Sequence, residues 1–120
     1  DFAYCDSGMI PWLLVTGLIS SGGQPLSKLV AERMAAYPCS GEINRTIENP
    51  AAVLSKVEAV YAGQARSVDH VDGLSMSMEK WRFNLRMSNT EPVVRLNVES
   101  RGDTALMQAK TAELLALIDA

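Results

Sequence analysis

The sequence predicts an α+β domain in which helices cover one face of a mainly antiparallel sheet. Several short segments alternate apolar and polar residues, which is the pattern of strands with one buried face. Other segments repeat apolar residues at helical spacing. The order of these segments, β-α-β-β-β-β-α, indicates the α+β class, and one or two connecting helices precede them.

The first part of the chain predicts these connecting helices. The apolar run at residues 9–19 predicts a helix capped by Asp6 or Ser7. This run is roughly half as long as the ~20 residues that a transmembrane helix needs, and it lacks the basic leader of a signal peptide. Residues 20–23, Ser-Ser-Gly-Gly, predict a flexible boundary. A second helix is predicted from Pro25 to about residue 36.

The remaining elements follow from periodicity and end signals. Asn49 and Pro50 predict the start of a helix that buries Val53, Leu54, Val57, Val60 and Tyr61, and Gly63 predicts its end. Asp103 predicts the cap of a final helix. Strands are predicted at residues 40–47, 67–71, 74–78, 82–87 and 93–99.

The candidate functional site is the connection between the last two predicted strands. Arg86 and Arg95 both fall on the polar faces of their strands, near the ends that the connection joins. A guanidinium offers a planar fork of donors that matches two phosphate oxygens. Ser88, Asn89 and Thr90 add hydroxyl and amide donors, and a tight loop can turn backbone N–H groups the same way. These five residues therefore predict a phosphate clamp, although an ordinary hairpin with two solvated arginines uses the same turn residues.

The string Asn84-Leu85-Arg86-Met87-Ser88-Asn89-Thr90-Glu91-Pro92, followed by Arg95-Leu96-Asn97, resembles the phosphate-binding loop of the α-D-phosphohexomutases. In this family of phosphomannomutases and phosphoglucomutases the loop belongs to the last domain. Similarity extends to Asp72-Gly73 and to Trp81-Arg82-Phe83, and residues 6–8 resemble the close of the third domain. Asn89 favours the phosphomannomutase/phosphoglucomutase branch, because related branches often carry glycine there.

The resemblance implies an isomerase that interconverts hexose 1-phosphates and 6-phosphates of glucose or mannose. A phosphoserine in the first domain and a magnesium ion in the second would transfer the phosphate, with glucose 1,6-bisphosphate as intermediate or activator. Residues 1–21 would be the end of the sugar-binding third domain, residues 22–38 an interdomain linker and helix, and residues 39–120 the C-terminal phosphate-binding domain. The partners implied are the phosphosugar and the other domains, and the chain alone is not expected to be active.

Arg86, Ser88, Asn89, Thr90 and Arg95 are accordingly expected to bind the substrate phosphate without making or breaking bonds. No residue here is expected to be catalytic or to bind metal, since His70 is the only histidine and no ligand spacing occurs. Cys5 and Cys39 could form one disulfide in a secreted domain, but Cys39 is expected to be a small buried residue, and the two thiols predict a reducing cytoplasm.

Two other functions are also compatible with the sequence. A stand-alone phosphate- or nucleotide-binding module would need the loop but no partner domains. An RNA-binding sheet would need exposed aromatic residues and a basic face. The net charge of −3 and the aromatic content of 6% argue against RNA, and no membrane partner is expected.

Overall fold

The structure is a computed structural model that describes residues 7–88 and 90–120. The chain divides into two compact units, Asp1–Met34 and Ala35–Ala120. The predicted assignment of residues 1–21 and 22–38 to a third domain and a linker stays a prediction. Within residues 7–88 and 90–120, none of the helices has the length and hydropathy of a membrane span.

Two helices come first, and their boundaries differ in part from the prediction. Helix α1 spans Met9–Gly22 and helix α2 spans Leu26–Ala36. Gly8 is the N-cap of α1 and no side chain caps it, so the predicted cap at Ser7 is wrong, while Asp6 lies outside the described residues. The flexible boundary predicted at residues 20–23 is also wrong for residues 20–22, which are helical. The Ser21 hydroxyl donates to the Gly17 carbonyl (2.8 Å), so serine is accommodated inside the helix.

The second unit contains one sheet of five strands in the order β1-β5-β4-β3-β2, and all neighbouring strands are antiparallel. The strands are β1 (Ile43–Thr46), β2 (Ser67–Asp69), β3 (Leu74–Ser77), β4 (Trp81–Met87) and β5 (Val93–Ser100). Helix α3 (Pro50–Tyr61) follows β1, and helix α4 (Thr104–Asp119) follows β5. The predicted α+β class and the predicted order of elements are confirmed.

Both helices of this unit begin at the predicted caps. The Asn49 side chain accepts a hydrogen bond from the Ala52 N–H (3.2 Å), and the Asp103 side chain accepts one from the Leu106 N–H (2.9 Å). Each cap satisfies a backbone donor that has no partner within the helix, which fixes where the helix starts.

The core lies between the sheet and the two helices. Its buried apolar side chains alternate along the strands and meet residues of α3 and α4; they are Val57, Tyr61, Leu74, Met76, Met78, Trp81, Phe83, Leu85, Val94, Leu96, Val98, Met107, Leu114 and Ile118. Burial of this set holds the sheet against the helices. Two predicted core residues are wrong. Val60 is 45% exposed on the outer side of α3, and Cys39 is exposed at an isolated bridge to Glu99 that precedes β1.

The opposite face of the sheet is polar. It carries the alternate residues of the same strands, among them Ser75, Arg82, Asn84, Arg86, Arg95, Asn97 and Glu99. Trp81 and Phe83 are the aromatic residues of β4, and both are buried under the helices. The described strands therefore do not offer the exposed aromatic platform that base stacking needs.

Candidate phosphate-binding site

The β4–β5 hairpin places the two predicted arginines side by side. The strands pair from Trp81 opposite Ser100 to Met87 opposite Val94, and this register sets Arg86 directly opposite Arg95. Both side chains are 37% exposed. Because like charges at directly opposed positions repel, the pair needs compensating anions nearby.

Two carboxylates provide this compensation. Glu42 Oε2 lies 3.1 Å from Arg86 Nη2, and Glu42 Oε1 lies 3.7 Å from Arg95 Nη1. Asp72 Oδ2 lies 3.5 Å from Arg86 Nη1. The two positive and two negative formal charges of this arginine–carboxylate cluster cancel. An incoming dianion therefore has to replace a carboxylate as the partner of an arginine.

Gly73 brings the β2–β3 turn against Arg86. Its φ is +74°, and a Cβ atom built on it would lie 2.6 Å from both the Arg86 Cα and the Leu85 carbonyl oxygen. Real Cβ atoms essentially never come this close to other heavy atoms, so only glycine fits here. The Asn84 side chain donates to the Asp72 carbonyl (2.8 Å) and to the Ser75 hydroxyl (2.9 Å), which ties the same turn to β4.

The loop that joins β4 to β5 supplies the hydroxyl groups. The Ser88 N–H donates to the Val93 carbonyl (2.8 Å) and closes the loop at its base. The Ser88 Oγ lies 3.4 Å from the Thr90 nitrogen and 3.5 Å from the Thr90 Oγ1, so these polar groups are gathered at one point. Asn89 lies outside the described residues.

Four of the predicted site residues, Arg86, Ser88, Thr90 and Arg95, line one recess of about 540 Å³ together with the β2–β3 turn. This loop recess is large enough for a phosphate group and part of the molecule that carries it. A second cavity of about 160 Å³ lies over the polar face of the sheet and is lined by Glu42, Asp72, Arg82, Asn84, Arg86, Arg95, Leu96, Asn97 and Glu99. The arginine pair thus stands between the loop recess and this sheet-face cavity.

Sequence reasoning missed Glu42 and gave Asp72 no role. Asp72 belongs to the Asp72-Gly73 pair quoted for the resemblance, so a signal for it existed. Glu42 precedes β1, which is far from the loop in sequence. Only the pairing of β1 with β5, with Asn44 opposite Arg95, brings it beside the arginines.

The described residues contain no candidate metal centre. Within residues 7–88 and 90–120, no three His, Cys, Asp or Glu side chains come together as metal ligands would. His70 is exposed and its Nε2 lies 3.0 Å from Glu58 Oε1, as expected for a locally bonded histidine.

Fold and site together define a class: an α+β domain that presents an arginine pair and a hydroxyl-bearing loop, the donor set suited to an oxyanion. The family model described as "Phosphoglucomutase/phosphomannomutase, C-terminal domain" matches residues 42–116. The chain belongs to this family.

Curated relatives agree with the family match. The chain is 64% identical over 119 residues to the phosphomannomutase of Salmonella montevideo and 60% identical over 118 residues to a phosphomannomutase of Escherichia coli. A protein of Xanthomonas campestris named "Phosphohexose mutases" is 51% identical over 118 residues. These alignments cover 98–99% of this chain but 26% of each relative. The chain thus spans about a quarter of the length of the relatives it matches.

Proposed function

We propose that this chain is the substrate-phosphate-binding domain of a phosphomannomutase/phosphoglucomutase, which interconverts hexose 1-phosphates and hexose 6-phosphates. The observation that carries the proposal is the loop recess, where Arg86, Arg95, Ser88 and Thr90 meet in a chain of this family. Its ligand would be glucose or mannose 1- or 6-phosphate. A phosphoserine and a bisphosphorylated sugar intermediate, both implied by the resemblance, complete the proposed reaction.

The chemical contribution of the recess is positioning and charge neutralisation. Arg86 would hold two phosphate oxygens through its fork of donors, and Arg95 would close the far side. Ser88 and Thr90 would donate from their hydroxyl groups, and Asn89 is proposed to do the same from the loop tip. Holding the phosphate that is not transferred fixes the sugar for reaction at its other end, and positioning of this kind is a large part of what a protein supplies to phosphoryl transfer.

Exchange of partners accompanies binding in this proposal. Asp72 lines the loop recess and contacts Arg86 at 3.5 Å, so a phosphate that engages Arg86 from this side replaces the Asp72 carboxylate. Asp72 is 73% exposed and can turn to solvent at little cost. The phosphate then binds the Arg86 guanidinium at the cost of only the weak, exposed ion pair with Asp72.

Magnesium and glucose 1,6-bisphosphate are proposed for the longer enzyme. A magnesium ion there would neutralise charge on the phosphoryl group being transferred. Its ligands are proposed to come from outside this chain, and the described residues are assigned no part in holding it. The cytoplasmic location likewise stays a prediction.

The experiment that tests the proposal is a chimera. The matching quarter of the Salmonella montevideo phosphomannomutase is replaced by this chain, and kcat/KM is measured for mannose 1-phosphate and glucose 1-phosphate. We expect an active mutase in which Arg86→Ala lowers kcat/KM by about 100-fold, since charge-assisted bonds are worth ~1.5–3 kcal/mol each. Arg82→Ala is the matched control, because Arg82 lies on the same face of β4 and pairs with Glu99 instead.

Two results would contradict the proposal in different ways. A folded chimera without mutase activity would contradict the enzyme assignment. An active chimera in which Arg86→Ala and Arg82→Ala behave alike would contradict the phosphate site, while the family membership would stand.

A further inference from the structure

Glu42 contacts both arginines of the site with separate oxygens of one carboxylate. Its Oε2 lies 3.1 Å from Arg86 and its Oε1 lies 3.7 Å from Arg95. The contact with Arg86 is also a hydrogen bond. Because the two guanidiniums repel each other across the β4–β5 pair, a carboxylate between them favours the arrangement in which both point the same way.

Arg95 depends on this carboxylate more than Arg86 does. Arg86 is held by Asp72 as well, and the Gly73 turn packs against its Cα and Cβ atoms. Among the described residues, Glu42 is the only acidic partner of Arg95, and the buried Nε of Arg95 has no hydrogen-bond partner there. Loss of Glu42 should therefore release Arg95 first.

The position of Glu42 separates it from the place that the phosphate would take. Glu42 lines the sheet-face cavity and is absent from the lining of the loop recess, whereas the arginines line both. Asp72 also lines both. Glu42 thus reaches the guanidiniums from the sheet-face cavity, and an anion in the loop recess need not displace it.

We propose that Glu42 is a positioning residue that holds Arg86 and Arg95 side by side, ready for the phosphate. This inference rests on the proposed function of the loop recess. Glu42 does not touch the phosphate in this arrangement; it acts through the two arginines by keeping their forks aligned, so that less ordering is needed when the ligand binds.

The sheet supplies a matched control in Glu99. It lies on the same polar face, lines the same cavity and pairs with an arginine, Arg82, at 3.8 Å. It makes no contact with Arg86 or Arg95 among the described ion pairs. Glu99→Gln therefore removes the same charge from the same face without releasing the arginine pair.

The test is an NMR titration of the ¹⁵N-labelled chain with glucose 1,6-bisphosphate, for the parent chain, Glu42→Gln and Glu99→Gln. We expect Glu42→Gln to raise Kd about tenfold, equivalent to ~1.4 kcal/mol, and Glu99→Gln to change it less than about twofold. In the ligand-free spectra, the arginine Nε–H signal of Arg95 should shift or broaden in Glu42→Gln, the signal of Arg86 should change less, and Glu99→Gln should leave both in place. A merely structural role would not single out these two signals.

The possible outcomes separate this inference from the proposed function. A parent chain that shows no binding contradicts phosphate binding by the chain alone; the ligand-free arginine signals then decide, and an unchanged Arg95 signal in Glu42→Gln overturns the positioning role. If the parent chain binds and Glu42→Gln binds as tightly or more tightly, the inference alone fails. Should Glu42→Gln lose its dispersed spectrum, Glu42→Asp serves instead: its shorter side chain keeps the charge but cannot span both arginines, so the same Arg95 signature is expected.

Discussion

The two faces of the sheet are built from the same strands but differ in what their side chains contact. On the covered face, Phe83, Leu85 and Leu96 are at most 1% exposed and pack with residues of α3 and α4. On the open face, their neighbours Arg86 and Arg95 are 37% exposed and contact mainly carboxylates. Core packing and the proposed phosphate site are thus only one residue apart along β4, so substitutions on the two faces should affect different measurements.

The largest effect is expected on the covered face. Phe83→Ala removes a ring that packs against Tyr61 and Trp81, with centroids 5.6 and 5.8 Å away. We expect the free energy of unfolding to fall by about 3–5 kcal/mol, the usual cost of truncating a buried aromatic residue. Urea unfolding followed by circular dichroism measures it.

The control is the adjacent residue on the open face. Arg82→Ala removes an exposed ion pair with Glu99 at 3.8 Å, and surface pairs of this kind contribute about 0–1 kcal/mol. If both variants destabilised the chain equally, the separation between the two faces would be wrong.

Gly73 lies against the backbone of Leu85, on the covered face, and of Arg86, on the open face. Its substitution should therefore affect both stability and ligand binding. In Gly73→Ala, a left-handed backbone and a 2.6 Å approach to Arg86 and Leu85 both oppose the new methyl group. The backbone conformation alone costs about 1–3 kcal/mol, and relief of the clash must move Arg86. We expect lower stability in urea and weaker binding of glucose 1,6-bisphosphate.

Gly102 provides the comparison for this prediction. Its φ is +66°, but nothing lies within 4 Å of a Cβ built there. Gly102→Ala therefore carries the same backbone cost without the close approach. Equal effects of the two substitutions on binding would show that the contact with Arg86 does not position the site.

How far the sequence alone predicts this molecule also differs between the two faces. Strict alternation in β4 and β5 was enough to predict the strands and to put Arg86 and Arg95 on the polar side. End signals at Asn49 and Asp103 located both helix starts. The alternation within each strand is predictable because it depends on local periodicity alone.

Contacts between distant segments could not be predicted in this way. Glu42 reaches the site through the β1–β5 pairing, and no local pattern fixes which strand β1 joins. The exposure of Cys39, which lies outside the named strands, and of Val60, on the outer side of α3, likewise does not follow from residue type. The flexible boundary predicted at residues 20–22 is helical instead, and within the helix the Ser21 hydroxyl donates to the Gly17 carbonyl.

The smallest predicted effect concerns a polar cluster at the edge of the covered face. Glu113 accepts hydrogen bonds from Lys110 Nζ (2.6 Å) and from the Tyr61 hydroxyl (2.6 Å). The Lys110 hydrogen bond, followed by that of Tyr61, holds the pKa of Glu113 below its ordinary value. A carboxyl whose pKa is lowered by folding adds stability above its ordinary pKa, and this contribution is lost as the pH falls through the lowered value.

Glu113→Gln should therefore reduce the difference between the free energies of unfolding measured near neutral pH and in acid. The Glu113 side chain is 45% exposed, so solvent screening keeps the expected change below about 1 kcal/mol. Tyr61→Phe keeps the buried ring but removes one of the two hydrogen bonds to the carboxylate, so its acid dependence should lie between those of the parent chain and Glu113→Gln. If Glu113→Gln lost as much stability in acid as the parent chain, carboxylates elsewhere would account for the acid sensitivity. The hydrogen bonds of Glu113 to Lys110 and Tyr61 would then add nothing measurable to the free energy of unfolding.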